Sequence, residues 1–447
     1  MNNVILRHFL LLLLLVVPFL TKAQQSVSFT LKQAVAYGVR HHPSIQKSDY
    51  DLQRYNQKFR EELSRYLPQI KADASYTNNL KLITQIIPGA FLGQPGQDVA
   101  VQFGTKYNAA ANVELSQTVI DLEKITGQKI ARQYSRIGML DKQKTVEQII
   151  YDISNAYTTS QVAFLQQADV GNSILKIDSL LANVQLQADK GFANSLDMKR
   201  LQFERSNLQT RLQNARLEYE QSMIILKYTM TYPLEEKIDI DTEIAPASLT
   251  YLFGEEVRID PLNIQLLREQ DKLTMLSLKQ IKQSYLPKLS FNFKYGTLAQ
   301  QNSANVFSSS TNWYPNSLAS LNLSIPIFDG NYKLSKVRQL QLEHKQNELE
   351  IGIQQSTLNK EIKNTKERLV ISAANVTTTQ KSKGLAEEVY KLSLIQFENG
   401  YASLKDLLDA ETQVKESQTA YLKAILDLHS AELEFLKISG NVQSLLK

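Results

Sequence analysis

Residues 285–295 read Tyr-Leu-Pro-Lys-Leu-Ser-Phe-Asn-Phe-Lys-Tyr. After the proline, the apolar side chains of Leu289, Phe291, Phe293 and Tyr295 alternate with polar ones. Alternation with a period of two places one face of a β-strand in apolar surroundings and the other face in polar surroundings. The pattern therefore predicts a strand that separates two different media.

The same alternation recurs, so we predict four strands, at about 68–78, 106–118, 287–298 and 317–328. A sheet packed on one side of a soluble core would show this pattern too. Each strand, however, is about ten residues long, as a tilted membrane strand requires. The segments that join the strands of each pair are long, polar and rich in turn residues, which is typical of the outer loops of outer-membrane proteins. Membrane strands are therefore favoured.

Four strands are too few to close a barrel within one chain. The smallest closed membrane barrels have about eight strands, and hydrocarbon does not tolerate the open edges of a sheet. Several copies of the chain would therefore have to share one barrel. Two copies would give about eight strands and three copies about twelve.

Two long segments, 122–190 and 330–398, contain no proline. A helix of roughly 68 residues is about 100 Å long, far beyond the mean length in globular proteins. A second helical segment follows each of them after a glycine. On the last one, apolar residues recur at spacings of three and four, and Glu411 and Gln418 lie on the same stripe. This spacing predicts coiled-coil hairpins.

Landmarks of the first half recur in the second half in the same order. Residues 66–68, Tyr-Leu-Pro, return at 285–287, and the glycine at 191 corresponds to the one at 400. The chain is therefore predicted to be duplicated. Its predicted parts are a signal peptide at 1–23, a first repeat at 24–230 that turns near 191, a linker at 231–259, a second repeat at 260–438 that turns near 400, and a tail at 439–447. The predicted fold class is mainly α with a β-barrel part.

The N-terminus predicts export from the cytoplasm. Arg7 precedes the apolar run Phe9–Leu20, and the small residue Ala23 stands before a polar start. A positive residue, a short apolar run and a small residue in this order make a secretory signal peptide. The mature protein is expected to act beyond the inner membrane.

Composition excludes several classes of protein. A mean hydropathy of -0.28 with 21% charged residues is too polar for a bundle of apolar membrane helices. The formal net charge of +5 gives no support for nucleic-acid binding. The absence of cysteine excludes disulfides, thiolate metal sites and a lipid-modified N-terminal cysteine. No catalytic or nucleotide-binding motif is present, and His41-His42 lacks the spacing of a metal site. We expect no enzymatic activity, cofactor or metal site.

Taken together, the chain resembles the TolC family of outer-membrane efflux proteins. The resemblance rests on the duplicated halves, the Tyr-Leu-Pro strand starts, the segment Leu323–Gly330 and the turn at Phe397–Ala410. It implies a homotrimer with a shared twelve-stranded barrel in outer-membrane lipid and a long tunnel of helices in the periplasm. It further implies docking onto a periplasmic adaptor (membrane fusion) protein and an inner-membrane transporter.

The function that the resemblance implies is the passive exit duct of a tripartite efflux pump for small molecules. One alternative is the exit duct of a type I protein secretion system, which the channel sequence does not distinguish. An alternative of a different class is a secreted coiled-coil adhesin or structural stalk. Strands of membrane type, occurring twice in the chain, disfavour that last possibility.

Two acidic residues carry the predicted selectivity. Asp406 and Asp409 lie six and nine positions after Gly400, where the family has acidic residues that line a narrow entrance. In a trimer they would form two rings of carboxylates, and such rings attract cations. A simpler explanation is that acidic residues in the first turns of a helix interact favourably with its dipole.

Four further residues are expected near the entrance by the same resemblance. Asp197 corresponds to a residue that helps to tie the entrance closed in some members. The position of its basic partner holds Ala402 here, so closure is expected to rely on other contacts. Phe397 stands where some members have a gate tyrosine, and it can only pack. Gly191 and Gly400 mark the two hairpin turns, where the adaptor is expected to dock.

Overall fold

The structure is a computed structural model and describes residues 27–93, 95–189, 195–244 and 261–446. The predicted signal peptide at 1–23 and the turn at Gly191 lie outside the described residues, and so does part of the predicted linker. Among the described residues, no helix combines the length and the apolar character needed to cross a membrane.

The two halves of the chain contain matching elements. The first half consists of β1 (Val27–Phe29), α1 (Leu31–His41), α2 (Pro43–Ser64), β2 (Gln69–Asn78), β3 (Ile83–Pro88), β4 (Asp98–Phe103), β5 (Tyr107–Ile120), α3 (Leu122–Asp189) and α4 (Ser195–Met230). The remainder consists of β6 (Ile238–Ile240), α5 (Leu262–Gln283), β7 (Lys288–Gln301), β8 (Trp313–Ser324), α6 (Tyr332–Glu398) and α7 (Leu404–Ser439).

Helix lengths repeat from one half to the other. Helices α2 and α5 both have 22 residues, α3 and α6 have 68 and 67, and α4 and α7 both have 36. The predicted duplication and the predicted long helices are therefore confirmed.

The chain forms two compact units. One comprises residues 1–50, 140–266 and 352–447, and the other comprises 51–139 and 267–351. The second unit contains the main sheet. The first unit contains the hairpin helices beyond residue 140 and beyond residue 352. Both long helices, α3 and α6, contribute residues to each unit.

The four predicted strands form one antiparallel sheet in the order β2-β5-β7-β8. Pairing of β5 with β7 joins the two repeats. Ile70 faces Leu115, which faces Phe293, and the same face of the sheet continues across all four strands. This face is apolar, as the alternation predicts. Strands β2 and β8 have no neighbour on their outer sides within the described part of the chain, so the sheet is open.

Two details of the sheet differ from the sequence prediction. The last strand was predicted at 317–328 but lies at Trp313–Ser324. Its pairing with β7 ends at Ser324 opposite Lys288, and Pro326 has no N–H with which to continue the ladder. The loop between β2 and β5 is not simply polar. It contains the hairpin β3–β4, in which exposed Ile83 pairs with Phe103.

A buried tyrosine connects α3 to the small parallel sheet of β1 and β6. Tyr157 is 2% exposed, and its hydroxyl donates a hydrogen bond of 2.9 Å to the carbonyl oxygen of Phe29. The same hydroxyl accepts one of 3.1 Å from the backbone N–H of Asp241. Burial raises the pKa of Tyr157 to about 12. The phenol thus holds two chain segments on one helix.

We predict that Tyr157→Phe lowers the free energy of unfolding by about 1 kcal/mol, the net contribution of a buried hydrogen bond. The measurement is denaturant-induced unfolding of the detergent-solubilised protein. Tyr228→Phe, at a tyrosine that is 75% exposed, is the matched control and should be neutral. Equal stability of the Tyr157→Phe variant and the wild type would contradict this prediction.

Candidate functional site

The turn between α6 and α7 is built by a glycine in the left-handed conformation. Gly400 has φ +76°, and its N–H donates to the carbonyl oxygen of Phe397 at 3.0 Å. The N–H of Tyr401 donates to the carbonyl oxygen of Gln396 at 2.8 Å. These two bonds form a Schellman motif, which satisfies the last carbonyls of the helix. Gly400 therefore has the conformational role that a tight helix–helix turn requires.

Asp406 forms part of the cap of α7. The Ser403 hydroxyl accepts a hydrogen bond from the backbone N–H of Asp406 at 3.2 Å. In return, the backbone N–H and the hydroxyl of Ser403 donate to Asp406 Oδ2 at 3.1 and 2.6 Å. This is a capping box with aspartate in place of the usual glutamate. Hydrogen bonds from Ser403 lower the pKa of Asp406, so its carboxylate stays ionised in moderate acid.

Asp409 lies one helical turn beyond Asp406 and is paired with a lysine. Its Oδ2 is 2.9 Å from Lys405 Nζ, and both side chains are exposed. Residues three apart on a helix share a face, so the structure brings the two predicted carboxylates together on the surface of α7. Ser403 and Lys405, the partners of the two aspartates, are not among the predicted site residues, although a Ser-x-x-Asp sequence at a helix start is a capping signal.

Asp197 lies in the first turn of α4 and pairs within its own helix. Arg200 Nη1 is 3.4 Å from Asp197 Oδ1. Arg200 also lies close enough to Lys405 to affect its electrostatics, so the first turns of α4 and α7 are neighbours. The local pair gives Asp197 a partner in place of the basic residue that is absent at Ala402.

An apolar cluster joins four helices behind the turn. Phe397 is half-buried and packs against it, as expected for a residue that can only pack. The buried members of this tip cluster are Ile177, Leu180, Val184, Leu201, Leu208, Tyr390, Leu404, Leu407, Ala410 and Val414. They come from α3, α4, α6 and α7, so both hairpins share one core.

One residue within reach of this core was not predicted as a functional residue. Glu411 is 1% exposed, and sequence analysis had placed it only on the apolar stripe of the last helix. Its position on that stripe is the signal that could have identified it. In the described part of the chain there is no group of three or more metal-ligating side chains placed to hold an ion.

Comparison with known proteins gives one family match. The model of the outer membrane efflux protein family matches residues 276–441, most of the second repeat. Over these residues the chain is similar to outer membrane efflux proteins. A comparison with curated protein sequences gives no match.

Solved outer-membrane channels share the fold. The CmeC outer membrane channel of Campylobacter jejuni matches with a TM-score of 0.72 at 13% identity, over 92% of this chain and 85% of that one. VceC of Vibrio cholerae matches with a TM-score of 0.73 at 13% identity, over 92% of this chain and 96% of that one. The open state of MtrE of Neisseria gonorrhoeae matches with a TM-score of 0.70 at 15% identity, over 93% of this chain and 89% of that one. The predicted fold class is therefore confirmed.

We predict that Ser403→Ala loosens the first turn of α7, because it removes the cap and one partner of Asp406. An N-cap typically contributes about 1 kcal/mol, so amide exchange in this turn should accelerate roughly fivefold. Hydrogen–deuterium exchange is the measurement. Ser417→Ala, in the middle of the same helix, should leave the first turn unchanged. Because the pKa of Asp406 is lowered, we also expect the wild-type cap to be lost only when the pH falls through that pKa, below the ordinary value of 3.8.

Proposed function

We propose that three copies of the chain form a channel-tunnel, the passive exit duct of a tripartite efflux pump that exports small molecules. The observation that carries the proposal is the open sheet β2-β5-β7-β8, which has one apolar face and, among the described residues, two unpaired edges. Hydrocarbon does not supply hydrogen bonds to such edges, so β2 of one copy has to pair with β8 of the next.

Three copies support a duct better than two do. A barrel of about eight strands is just wide enough for side chains to fill, whereas about twelve strands leave a wider interior. The inward face would be the polar one. On it Lys71 pairs with Glu114 at 3.1 Å, and Glu114 lies directly opposite Lys294. Charged side chains fit a polar or water-filled interior, where they pair with one another, far better than contact with lipid.

The helices would continue the proposed duct from the membrane to its entrance. Each chain has two hairpins, so three copies would supply about twelve helices to one tunnel. The exposed carboxylates of Asp406 and Asp409 would then form two rings around its axis. Phe397 and Asp197 would contribute to the gate by packing and by local pairing with Arg200. We propose that the turns at Gly191 and Gly400 receive the periplasmic adaptor, which connects the duct to an inner-membrane transporter.

Cysteine cross-linking tests the shared barrel, because the chain has no cysteine of its own. A cysteine at Ala72 on β2, combined with single cysteines scanned along β8, should yield a covalent oligomer that stops at three chains on a non-reducing gel. Cysteines at Ala111 and Thr297, which face each other within one chain, are the matched control. They should give no intermolecular product. A ladder that stops at two chains, or no product at any β8 position, would exclude the trimer.

Planar-bilayer recording tests the duct and its carboxylate rings. We expect the wild type to conduct and to prefer cations, because rings of carboxylates attract them. Asp406→Asn combined with Asp409→Asn should lower the cation-to-anion permeability ratio several-fold and weaken block by multivalent cations. Asp427→Asn, an exposed position farther along α7, is the control. Absence of conductance in the wild type would refute the duct, whereas unchanged reversal potentials in the double variant would refute only the rings.

A further inference from the structure

A carboxyl group is buried where the four hairpin helices meet. Glu411 follows Leu407 by one helical turn on α7, and the side chains of Leu407 and Val414 on either side of it belong to the tip cluster. Glu411 is 1% exposed, and neither of its carboxyl oxygens has a hydrogen-bond partner. A buried polar group without a partner costs free energy, and an ionised one costs far more. This position therefore strongly disfavours the carboxylate form.

The charged groups around Glu411 do not compensate it. On its own helix, Lys415 Nζ lies 3.6 Å from Glu411 Oε1. The same ammonium lies closer to Glu204 of α4, at 2.7 Å, so it is already paired. From α3, Lys176 acts on Glu411 electrostatically but lies over the ring of Tyr390 of α6, at 5.0 Å. Glu411 thus shares Lys415 with Glu204, and Lys176 acts on it electrostatically without an ion-pair contact between them.

Burial is the largest influence on the protonation of this group. It raises the pKa of Glu411, and the negative charge of Glu204 raises it further. Lys415 and Lys176 act in the opposite direction. The direction agrees with the geometry, since a carboxyl that is packed among apolar side chains is more stable with its proton than without it.

Water can approach this group from a neighbouring cleft. A cleft of about 230 Å³ lies between α3, α4 and α7, and its walls include Asp169, Arg211 and Lys415. A cavity needs about 10–15 Å³ of such accessible volume to hold one water molecule, so the cleft has room for several. Lys415 lines this cleft and its Nζ lies 3.6 Å from Glu411 Oε1, so one side chain separates the buried carboxyl from the cleft.

We propose that Glu411 is a proton-binding site that controls how firmly the four hairpin helices hold together. With its proton, the side chain remains in the tip cluster. Without it, the carboxylate gains free energy by reaching water, which requires the second-repeat hairpin to separate from the first. Packing of the helices is therefore firmest in acid and loosens as the pH rises.

Proton linkage determines whether rising pH favours or opposes helix separation, and over which pH range it does so. The packed state binds a proton that the separated state releases, so separation is favoured by rising pH between the ordinary value of 4.5 and the raised pKa of the packed state. Below that range the full stabilisation is present, and above it the stabilisation is lost. Release of one proton per protomer corresponds to a tenfold change in the separation equilibrium per pH unit.

Hydrogen–deuterium exchange of the full-length protein in detergent tests the proposal. After correction for the intrinsic pH dependence of exchange, protection of residues 404–414 in the wild type should fall by about tenfold per pH unit within this range. In Glu411→Gln, which keeps the shape and removes the titration, protection should not depend on pH. Glu416→Gln, an exposed glutamate on the same helix, is the control and should follow the wild type. A wild-type pH dependence that survives in Glu411→Gln would overturn the proposal.

A second variant keeps the test decisive should Glu411→Gln not assemble. Glu204→Gln frees Lys415 to pair with Glu411 and removes the nearby negative charge, so the loss of protection should end at a lower pH than in the wild type. If the loss of protection ended at the same pH in Glu204→Gln as in the wild type, the proposal would also be overturned. This readout does not depend on conductance, so its failure leaves the proposed duct untouched, and absence of conductance leaves Glu411 untouched.

Discussion

The outermost strands of an open antiparallel sheet leave a row of N–H and C=O groups without partners, and hydrocarbon offers none. In the part of the chain that the structure describes, the sheet has two such edges, on β2 and β8. Its apolar face, which runs through Ile70, Leu115 and Phe293, has to lie against lipid or against protein. The proposed pairing of edges between copies would resolve both problems at once, because it would close the sheet and leave the apolar face on the outside.

The remainder of the architecture depends on that closure. In the proposed assembly, a barrel shared by several copies would bring the helices that continue from each strand pair around a common axis. The duplication gives the two repeats long helices of matching length, 68 and 67 residues. The two hairpins share an apolar core near their turns, and that core is where the chain tolerates Glu411.

The two aspartates proposed to line the entrance also have local roles at the start of α7. Asp406 completes a capping box, and Asp409 pairs with Lys405 within one helix. Both arrangements suffice to explain an acidic residue near a helix start, and both leave the carboxylates on the surface. A helix cap and a ring of charges are compatible functions, because a ring requires only that the capped carboxylate faces the axis.

Much of this fold could be predicted from periodicity. Alternation at period two located the strands, and a lack of proline located the long helices, because both signals are local. The prediction failed where a pairing partner decided the outcome. Strand β8 begins at Trp313 and ends at Ser324 because it follows the register of β7, and the hairpin β3–β4 forms through pairs such as Ile83 with Phe103. The family resemblance indicated Asp406, Asp409 and Gly400 as candidate entrance residues but not their partners.

Sequence alone determined the duplication, the alternating strands and the long helices, because each depends on residue types at fixed spacings along the chain. The family resemblance singled out the acidic positions after Gly400. Only the tertiary structure decided that β5 pairs with β7, that Ser403 and Lys405 hold the two aspartates, and that Glu411 is buried without a partner. The reason is physical. Burial and charge compensation at Glu411 depend on Lys176, Glu204 and Tyr390, which come from three other helices and lie far from it in sequence.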